Sequence, residues 1–167
     1  MNNTISTHFF PVSGKSSCPF LGFNLSVDRE CLVRVDFVLS IEQRWQNVDE
    51  PTEVMQLAGE QIFAYLTCEL REFSLPIFLH GTEFQRDVWR EILNIPFGKV
   101  RSYGQIAKNL GDLNLSRAVG QAANKNPIPL VIPCHRVVGS SGKLTGFASG
   151  LPAKSFLLAH EMGGLLW

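Results

Sequence analysis

The stretch Asn126-Pro127-Ile128-Pro129-Leu130-Val131-Ile132-Pro133-Cys134-His135-Arg136-Val137-Val138 governs how the second half of the chain reads. Proline fixes φ and removes a backbone donor, so a run this rich in proline is not a helix interior. The approach to Cys134 is therefore expected to be extended, stiff and largely buried. A stiff apolar lead into a thiol and an imidazole suits a nucleophile that must be held still. Free cysteines are also among the most buried residue types, and a histidine can be a satisfied core residue. On residue types alone the two readings stand level.

The flanking sequence is strongly punctuated. Upstream, a helix is expected over residues 116–125, ended by Asn126-Pro127. Its body, Arg117-Ala118-Val119-Gly120-Gln121-Ala122-Ala123-Asn124-Lys125, has unusually small side chains. A glycine in a helix interior costs about 1 kcal/mol against alanine, so Gly120 implies a close approach. Either another helix packs there, or the helix enters a narrow nucleic-acid groove with Arg117 as its one long cationic probe. Before it, Ser102-Tyr103-Gly104-Gln105 is a capping box that opens a short helix to about Leu110, stopped by Gly111. Two short helices joined by a glycine-containing turn form a helix-turn-helix pattern. Earlier still, Thr82-Glu83-Phe84-Gln85 is a second capping box. The helix it opens carries a stripe of Phe84, Val88 and Ile92 flanked by Trp89 and Leu93, and Pro96-Phe97-Gly98 ends it. Downstream of the Cys-His pair lie Gly139-Ser140-Ser141-Gly142 and Gly146-Phe147-Ala148-Ser149-Gly150, both loops. A last helix runs from Pro152 through Phe156, Leu157, Ala159 and His160 to Glu161, closed by Gly163-Gly164. Glu161 is the last acid of the chain and the first after Asp112. It is either a surface residue or the partner of something inside.

The first half reads differently. Residues 19–40 alternate as strands: Phe23-Asn24-Leu25-Ser26-Val27, a turn at Asp28-Arg29-Glu30, then residues 32–39, a hairpin packed on one face. From Thr52 the period becomes helical, with Val54, Leu57, Ala58, Ile62 and Leu66 on one face. Residues 73–79, interrupted by Pro76, read as an extended connector. No reactive pattern is visible in residues 1–80.

The totals set limits. At 167 residues, 45% hydrophobic and 18% charged, the chain suits one large or two small globular domains. It contains no apolar run of about 18 residues that would span a membrane, and residues 1–10 do not have the form of a secretory signal. Four widely spaced cysteines, Cys18, Cys31, Cys68 and Cys134, form no CxxC, which points to a reducing cytoplasm rather than a disulfide framework. A metal site drawn from His8, Cys18, Cys31 and His80 has no supporting ligand spacing. The formal charge is zero, yet residues 1–81 carry five Lys/Arg against ten Asp/Glu, and residues 82–167 carry the reverse. A basic half suits a polyanion, nucleic acid first, although a surplus of this size also fits a plain solvated face.

Pro133-Cys134-His135-Arg136-Val137 resembles the signature of the O6-alkylguanine-DNA alkyltransferases. The likeness extends over Gly81-Thr82-Glu83-Phe84-Gln85, Val88-Trp89, Ile95-Pro96-Phe97-Gly98, Ser102-Tyr103-Gly104-Gln105-Ile106-Ala107, Arg117-Ala118-Val119-Gly120, Asn126-Pro127, Lys154 and Leu157-Leu158-Ala159-His160-Glu161. It implies an α+β protein: a small sheet-and-helix domain over residues 1–80, then a mostly helical alkyltransferase and DNA-binding domain over 81–167 with a winged helix-turn-helix. It also implies direct, irreversible, single-use repair of O6-alkylguanine, and of O4-alkylthymine, in double-stranded DNA after base flipping, with no metal or organic cofactor. Cys134 would be the alkyl acceptor, His135 its base through a water, Glu161 the support of that imidazole, and Asn126 the residue holding the loop. Tyr103, Pro129, Val137, Phe147, Ala148 and Lys154 would bind the flipped base. Arg117 would fill the vacated stack, and Ala118, Gly120, Gln121 and Ala123 would meet the minor groove. The protein would act as a monomer, with no membrane contact, in the cytoplasm, or in the nucleus of a eukaryote. Phe147 and Ala148 depart from the Tyr and hydroxyl residues frequent in the family, which bears on the choice of alkyl group. Three other classes remain open at this stage: a damage-binding relative that transfers nothing, a thiol hydrolase using Cys134 and His135, and a plain DNA-binding regulator.

Overall fold

The computed structural model describes residues 5–12, 18–43 and 50–163. The chain is mixed α+β and divides into two compact units, Met1–Leu79 and His80–Trp167.

The first unit is built on an antiparallel sheet of order β1-β2-β3: β1 (Ser6–Pro11), β2 (Gly22–Asp28) and β3 (Cys31–Val38). The alternation seen in the sequence places Phe23 opposite Phe37 and Leu25 opposite Val35. The rings of Phe20, Phe23 and Phe37 meet pairwise with centroids 5.0–5.3 Å apart. Arg29 and Glu30 turn the hairpin, both with positive φ (47° and 62°). That is the twist a two-residue hairpin turn requires.

Two expectations change here. The hairpin is not packed on one face. β2 is the central strand and is buried along nearly its whole length, including Asn24 and Ser26. The Asn24 amide is satisfied by donating to the Gln43 carbonyl at 2.9 Å. β1, whose sequence lacks clean alternation, supplies the third strand. The helix α1 (Glu53–Leu66), capped by the Thr52 hydroxyl, turns Met55, Ala58, Ile62, Tyr65 and Leu66 inward. Val54 is only half-buried and Leu57 is exposed, because the sheet meets a stripe rotated from the one the strongest hydrophobes suggest. The connector through Pro76 is extended and joins the edge of β3: Leu32 N–H donates to the Pro76 carbonyl at 2.8 Å, and Phe78 N–H to the Leu32 carbonyl at 3.1 Å.

The second unit holds α2 (Glu83–Leu93), β4 (Arg101–Ser102), α3 (Tyr103–Asn109), α4 (Ser116–Asn124), β5 (Val137–Val138) and α5 (Leu151–Glu161). Both capping boxes form, with the side chain and backbone of Thr82 and Gln85, and of Ser102 and Gln105, bonded reciprocally. In α2 the buried residues are Val88, Trp89 and Ile92, while Phe84 is half-buried and Leu93 exposed. Trp89 is the keystone between α2 and α4. It is 1% exposed, and its indole N–H donates to the Ala122 carbonyl at 2.9 Å. Gly111, at φ 97°, and a single 3-10 turn over Leu113–Leu115 complete the bend between α3 and α4. β4 and β5 pair in parallel, Arg101 with Val137 and Ser102 with Val138. This pairing sets the start of α3 beside the segment that follows Cys134. Met162 and Gly163, at φ 72°, close α5, and Gly164 lies outside the described residues.

Gly22 tests the β1–β2 register. A Cβ there would stand 2.3 Å from the Phe10 carbonyl oxygen and 2.5 Å from the Phe9 ring. Overpacking of this kind costs about 1–3 kcal/mol, so Gly22→Ala is expected to lower the urea midpoint of unfolding. An unchanged midpoint would mean that β1 does not pair as described.

Candidate active site

Cys134, His135 and Arg136 form one 3-10 turn that leads directly into β5, and all three are buried. The approach to this turn is not extended. It folds back tightly: Ile132 N–H donates to the Ile128 carbonyl at 2.9 Å, and Leu130 takes a positive φ of 74°. Pro133 then makes an inverse γ-turn (φ −79°, ψ 62°), closed by Cys134 N–H to the Ile132 carbonyl at 2.7 Å. Proline supplies the φ that this turn needs, which an extended reading overlooks. Holding a leucine at positive φ costs of order 1–3 kcal/mol, a level of strain found where surrounding structure fixes a functional loop.

Asn126 ties the loop together. Its amide N–H groups reach the Ile132 carbonyl at 2.7 Å and the Cys134 sulfur at 3.1 Å, while its oxygen accepts from Ile128 N–H at 3.0 Å. One side chain thus sets the turn and grips the thiol. Cys134 is 7% exposed. Burial pushes its thiol up from the ordinary value, against the opposing pull of the Asn126 hydrogen bond and the Lys154 charge. The resting sulfur is therefore a thiol and needs a base to become a nucleophile.

His135 is fully buried, with Nε2 2.7 Å from Glu161 Oε1. Burial pushes the imidazole below its ordinary value, and the Arg136 and Lys154 charges add to that, outweighing the opposite pull of Glu161. The ring is thus neutral near neutral pH. The Glu161 carboxyl lies well below the usual carboxylate range: burial acts to raise it, but the hydrogen bonds from His135 and Arg136 and the Arg136 charge win. Arg136 donates Nε to both carboxylate oxygens at 3.1 and 2.9 Å and Nη2 to Oε1 at 2.9 Å. Gly98 N–H donates to Oε2 at 2.9 Å. An ionised carboxylate only accepts, so His135 must carry its proton on Nε2. The nitrogen left to take a proton is the buried Nδ1.

Lys154 lies two helical turns before Glu161 on the same buried side of α5. Its ammonium donates to the Val137 carbonyl at 2.5 Å and the Thr145 carbonyl at 2.8 Å, and burial lowers it to about 8. It braces β5 against the glycine-rich loop and sits 5.8 Å from the centre of the Tyr103 ring. Tyr103, half-buried at the start of α3, also donates its hydroxyl to the Thr145 carbonyl, at 2.9 Å. Phe147 is half-buried and Ala148 exposed in the same loop.

On α4 the exposed side chains are Arg117, Gln121 and Asn124, which share one helix face with half-buried Gly120. Ala118 is half-buried, and Ala123, at 6% exposure, turns inward with Val119 and Ala122. A Cβ on Gly120 would meet the Tyr103 ring at 3.7 Å, an ordinary contact. Internal packing therefore tolerates alanine at this position. The residues sequence reading missed are Arg136, quoted only as part of a motif, and Gly98. Gly98 has a positive φ of 69°, and an added Cβ would stand 3.2 Å from the Glu161 carbonyl. The signal for both was a lone late carboxylate, which needs donors if it is buried. Among the described residues no group of three or more His, Cys, Asp or Glu is arranged to hold a metal ion. No described helix is long and apolar enough to cross a membrane.

A buried thiol next in sequence to a buried histidine that is bonded to a fixed carboxylate, with a helix-turn-helix in the same unit, has the form of a protein that sets thiol chemistry on a nucleic-acid-binding frame. Residues 83–163 match the family described as 6-O-methylguanine DNA methyltransferase, DNA binding domain. The chain is 45% identical over 142 residues to a methylated-DNA–protein-cysteine methyltransferase of Methanosarcina acetivorans, which spans 82% of this chain and 89% of that protein. It superposes on Mycobacterium tuberculosis OGT in complex with DNA with a TM-score of 0.79 at 36% identity, covering 94% of this chain and 92% of that one. It also superposes on the O6-methylguanine-DNA methyltransferase of Pyrococcus kodakaraensis with a TM-score of 0.67 at 26% identity, covering 95% and 99%. The chain belongs to the methylated-DNA–protein-cysteine methyltransferase family.

The carboxylate network predicts acid lability. Glu161 and His135 both sit below their ordinary values of 4.5 and 6.5. In each case the unfolded chain binds more protons than the folded one once the pH drops, so stability is present at neutral pH and is lost on acidification. His135 contributes below its ordinary value and Glu161 below its own. Glu161→Gln leaves Arg136 buried without its charge partner and is expected to cost about 3–5 kcal/mol at neutral pH. It should also flatten the loss of stability in the carboxylate range. Urea unfolding across pH measures both.

Proposed function

We propose that the protein repairs alkylated DNA by direct reversal, with Cys134 taking the alkyl group from O6 of guanine, and from O4 of thymine, once per protein molecule. The observation that carries this reading is the constellation around the sulfur. Asn126 holds the thiol, His135 offers a neutral base on an adjacent residue, and Glu161 fixes that base from behind. In the reaction the thiol proton passes to His135 Nδ1 through a water, and the sulfur attacks the alkyl carbon. The C–O6 bond breaks, and guanine leaves as its neutral form once Tyr103 supplies a proton. The thioether formed is a very poor leaving group, so there is no return step. Attacking group, base and proton donor are all side chains, so the chemistry calls for no metal or organic cofactor.

The damaged base lies inside the duplex and must be rotated out, at a cost of a few kcal/mol. We assign DNA binding and flipping to the His80–Trp167 unit. The exposed α4 face suits the minor groove: Gly120 keeps the backbone accessible, Gln121 and Asn124 flank it, and Arg117 is exposed with no ion pair among the described residues. Arg117 would fill the gap in the stack. Tyr103, Pro129, Phe147 and the backbone of Val137 and Ala148 would receive the base. Lys154, whose donors already serve backbone carbonyls, would shape that pocket. Ala123 would support the DNA face from within. A protein of this kind would act as a monomer in the compartment that holds DNA, the cytoplasm, or the nucleus of a eukaryote.

Two measurements test the reading. After mixing with duplex DNA containing O6-methylguanine, intact mass should rise by one methyl group per chain, on Cys134, and Cys134→Ala should show none. A chain that binds this DNA but gains no mass would sink the transfer reading. Arg117→Ala is expected to slow transfer from duplex DNA by one to several orders of magnitude, by our expectation for a lost flipping residue. Its transfer from free O6-benzylguanine should change little. Equal loss on both substrates would place Arg117 in the chemistry instead.

A further inference from the structure

The Glu161 carboxylate is usually thought of, in such an arrangement, as the servant of the histidine. The contacts here distribute it otherwise. His135 contributes one hydrogen bond, to Oε1. Arg136 contributes three, spanning both oxygens. Its remaining nitrogen, Nη1, donates to the Ile95 carbonyl at 2.5 Å, and its guanidinium lies 5.8 Å from the centre of the Phe97 ring. Both buried side chains are thereby anchored to the loop after α2, whose Gly98 N–H closes the last position on Oε2.

We propose that Arg136 is a positioning residue for alkyl transfer: it is the principal partner of Glu161 and locks the carboxylate so that His135 meets it only as a neutral hydrogen-bond donor, keeping Nδ1 for the thiol proton. The inference rests on the reading of Cys134 as the alkyl acceptor and goes beyond it. Without Arg136 the full negative charge of a buried carboxylate would fall on His135, which would answer by holding a proton. An imidazolium has no lone pair to accept the thiol proton, so the nucleophile would stay unactivated. The other charge facing His135 is Lys154, also from α5, and it too disfavours an imidazolium. α2 packs against the turn as well, but Arg86 is engaged with the Gly81 carbonyl, Arg90 with Asp87, and Glu91 with Asn109 and Arg101, while Glu83 is exposed at the start of the helix.

The test is the pH dependence of the methyl-transfer rate to Cys134, followed by intact mass, in wild type, Arg136→Lys and Arg136→Met. The rate of the wild type should fall only well into the acid range. In Arg136→Met the acid limb should move up by about one pH unit or more, with the single methyl still added at the end point. Arg136→Lys keeps one charge and one point of attachment, so its limb should lie between the two. A uniform loss of rate at every pH, with the limb unmoved, would overturn the proposal and leave Arg136 a purely structural residue. Nitrogen NMR of His135 in the wild type provides a reading that needs no variant to fold. A neutral ring protonated on Nε2 at neutral pH is expected, and an imidazolium or an Nδ1–H tautomer would overturn the proposal. If the wild type takes up no methyl group, the acceptor reading fails, and the NMR result still decides the part concerning Arg136.

Discussion

A single buried carboxylate sets the geometry of the second unit. Glu161 ends α5, yet its two oxygens are met by donors from the Cys134–Arg136 turn and from Gly98 in the loop after α2. An ionised carboxylate removed from water without partners would cost many kcal/mol, so these donors are obligatory rather than ornamental. Meeting them fixes where α5 ends, which way the turn faces, and how the Pro96-Phe97-Gly98 loop must bend. Gly98 adopts a positive φ there and leaves little room for a side chain against the α5 backbone. The network therefore orients the Cys134–Arg136 turn and staples three separate chain segments at once.

Reactivity follows from how unevenly this polarity is distributed. Donors crowd the Glu161 carboxylate behind the histidine, whereas Cys134 is buried with its sulfur held by the Asn126 amide. Burial favours the thiol form of Cys134 and the neutral form of His135, two states that suit the stored reagent proposed above: inert toward solvent, with the proposed base next to it in the chain. In the function proposed above, a single-use acceptor gains from this arrangement, because any stray alkylation or oxidation would consume the molecule. Asn126 adds stiffness, since one amide serves the loop carbonyl and the sulfur together. Lys154 and Tyr103 converge on the same Thr145 carbonyl, so the loop carrying Phe147 and Ala148 is held to β5 and α3 alike.

The two units differ in what their burial accomplishes. In the Met1–Leu79 unit the described interior is mainly aromatic and aliphatic, and its buried Asn24 donates to a backbone carbonyl, that of Gln43. In the His80–Trp167 unit four charged or titratable side chains, His135, Arg136, Lys154 and Glu161, are buried and paired. Polar burial on this scale is costly, and its concentration around one thiol marks where the fold exchanges stability for chemistry.

Much of this was legible in residue order. Helix starts were written in local chemistry, since Thr82-Gln85 and Ser102-Gln105 need only their own backbone to cap. The turn at Arg29-Glu30 and the alternation around it located the hairpin, and the Cys-His motif marked the turn on which the buried polar network converges. What failed was whatever depended on a partner distant in sequence. The inward stripe of α1 was set by the sheet it meets, not by its most hydrophobic residues, so Met55 and Tyr65 displaced Val54 and Leu57. β2 became central only because β1 came to lie on its other edge. The lead into Cys134 coiled instead of extending, because Asn126 and the Pro133 turn bond across it. Residue order located the helices through local propensity and spacing, and the family motif singled out Cys134 and His135 as the nucleophile and base proposed above. Tertiary structure alone decided that Glu161 is buried, that Arg136 holds it from the far side, and that Gly98 completes its shell, because those contacts join residues 25 to 63 positions apart, and such contacts carry no local signature.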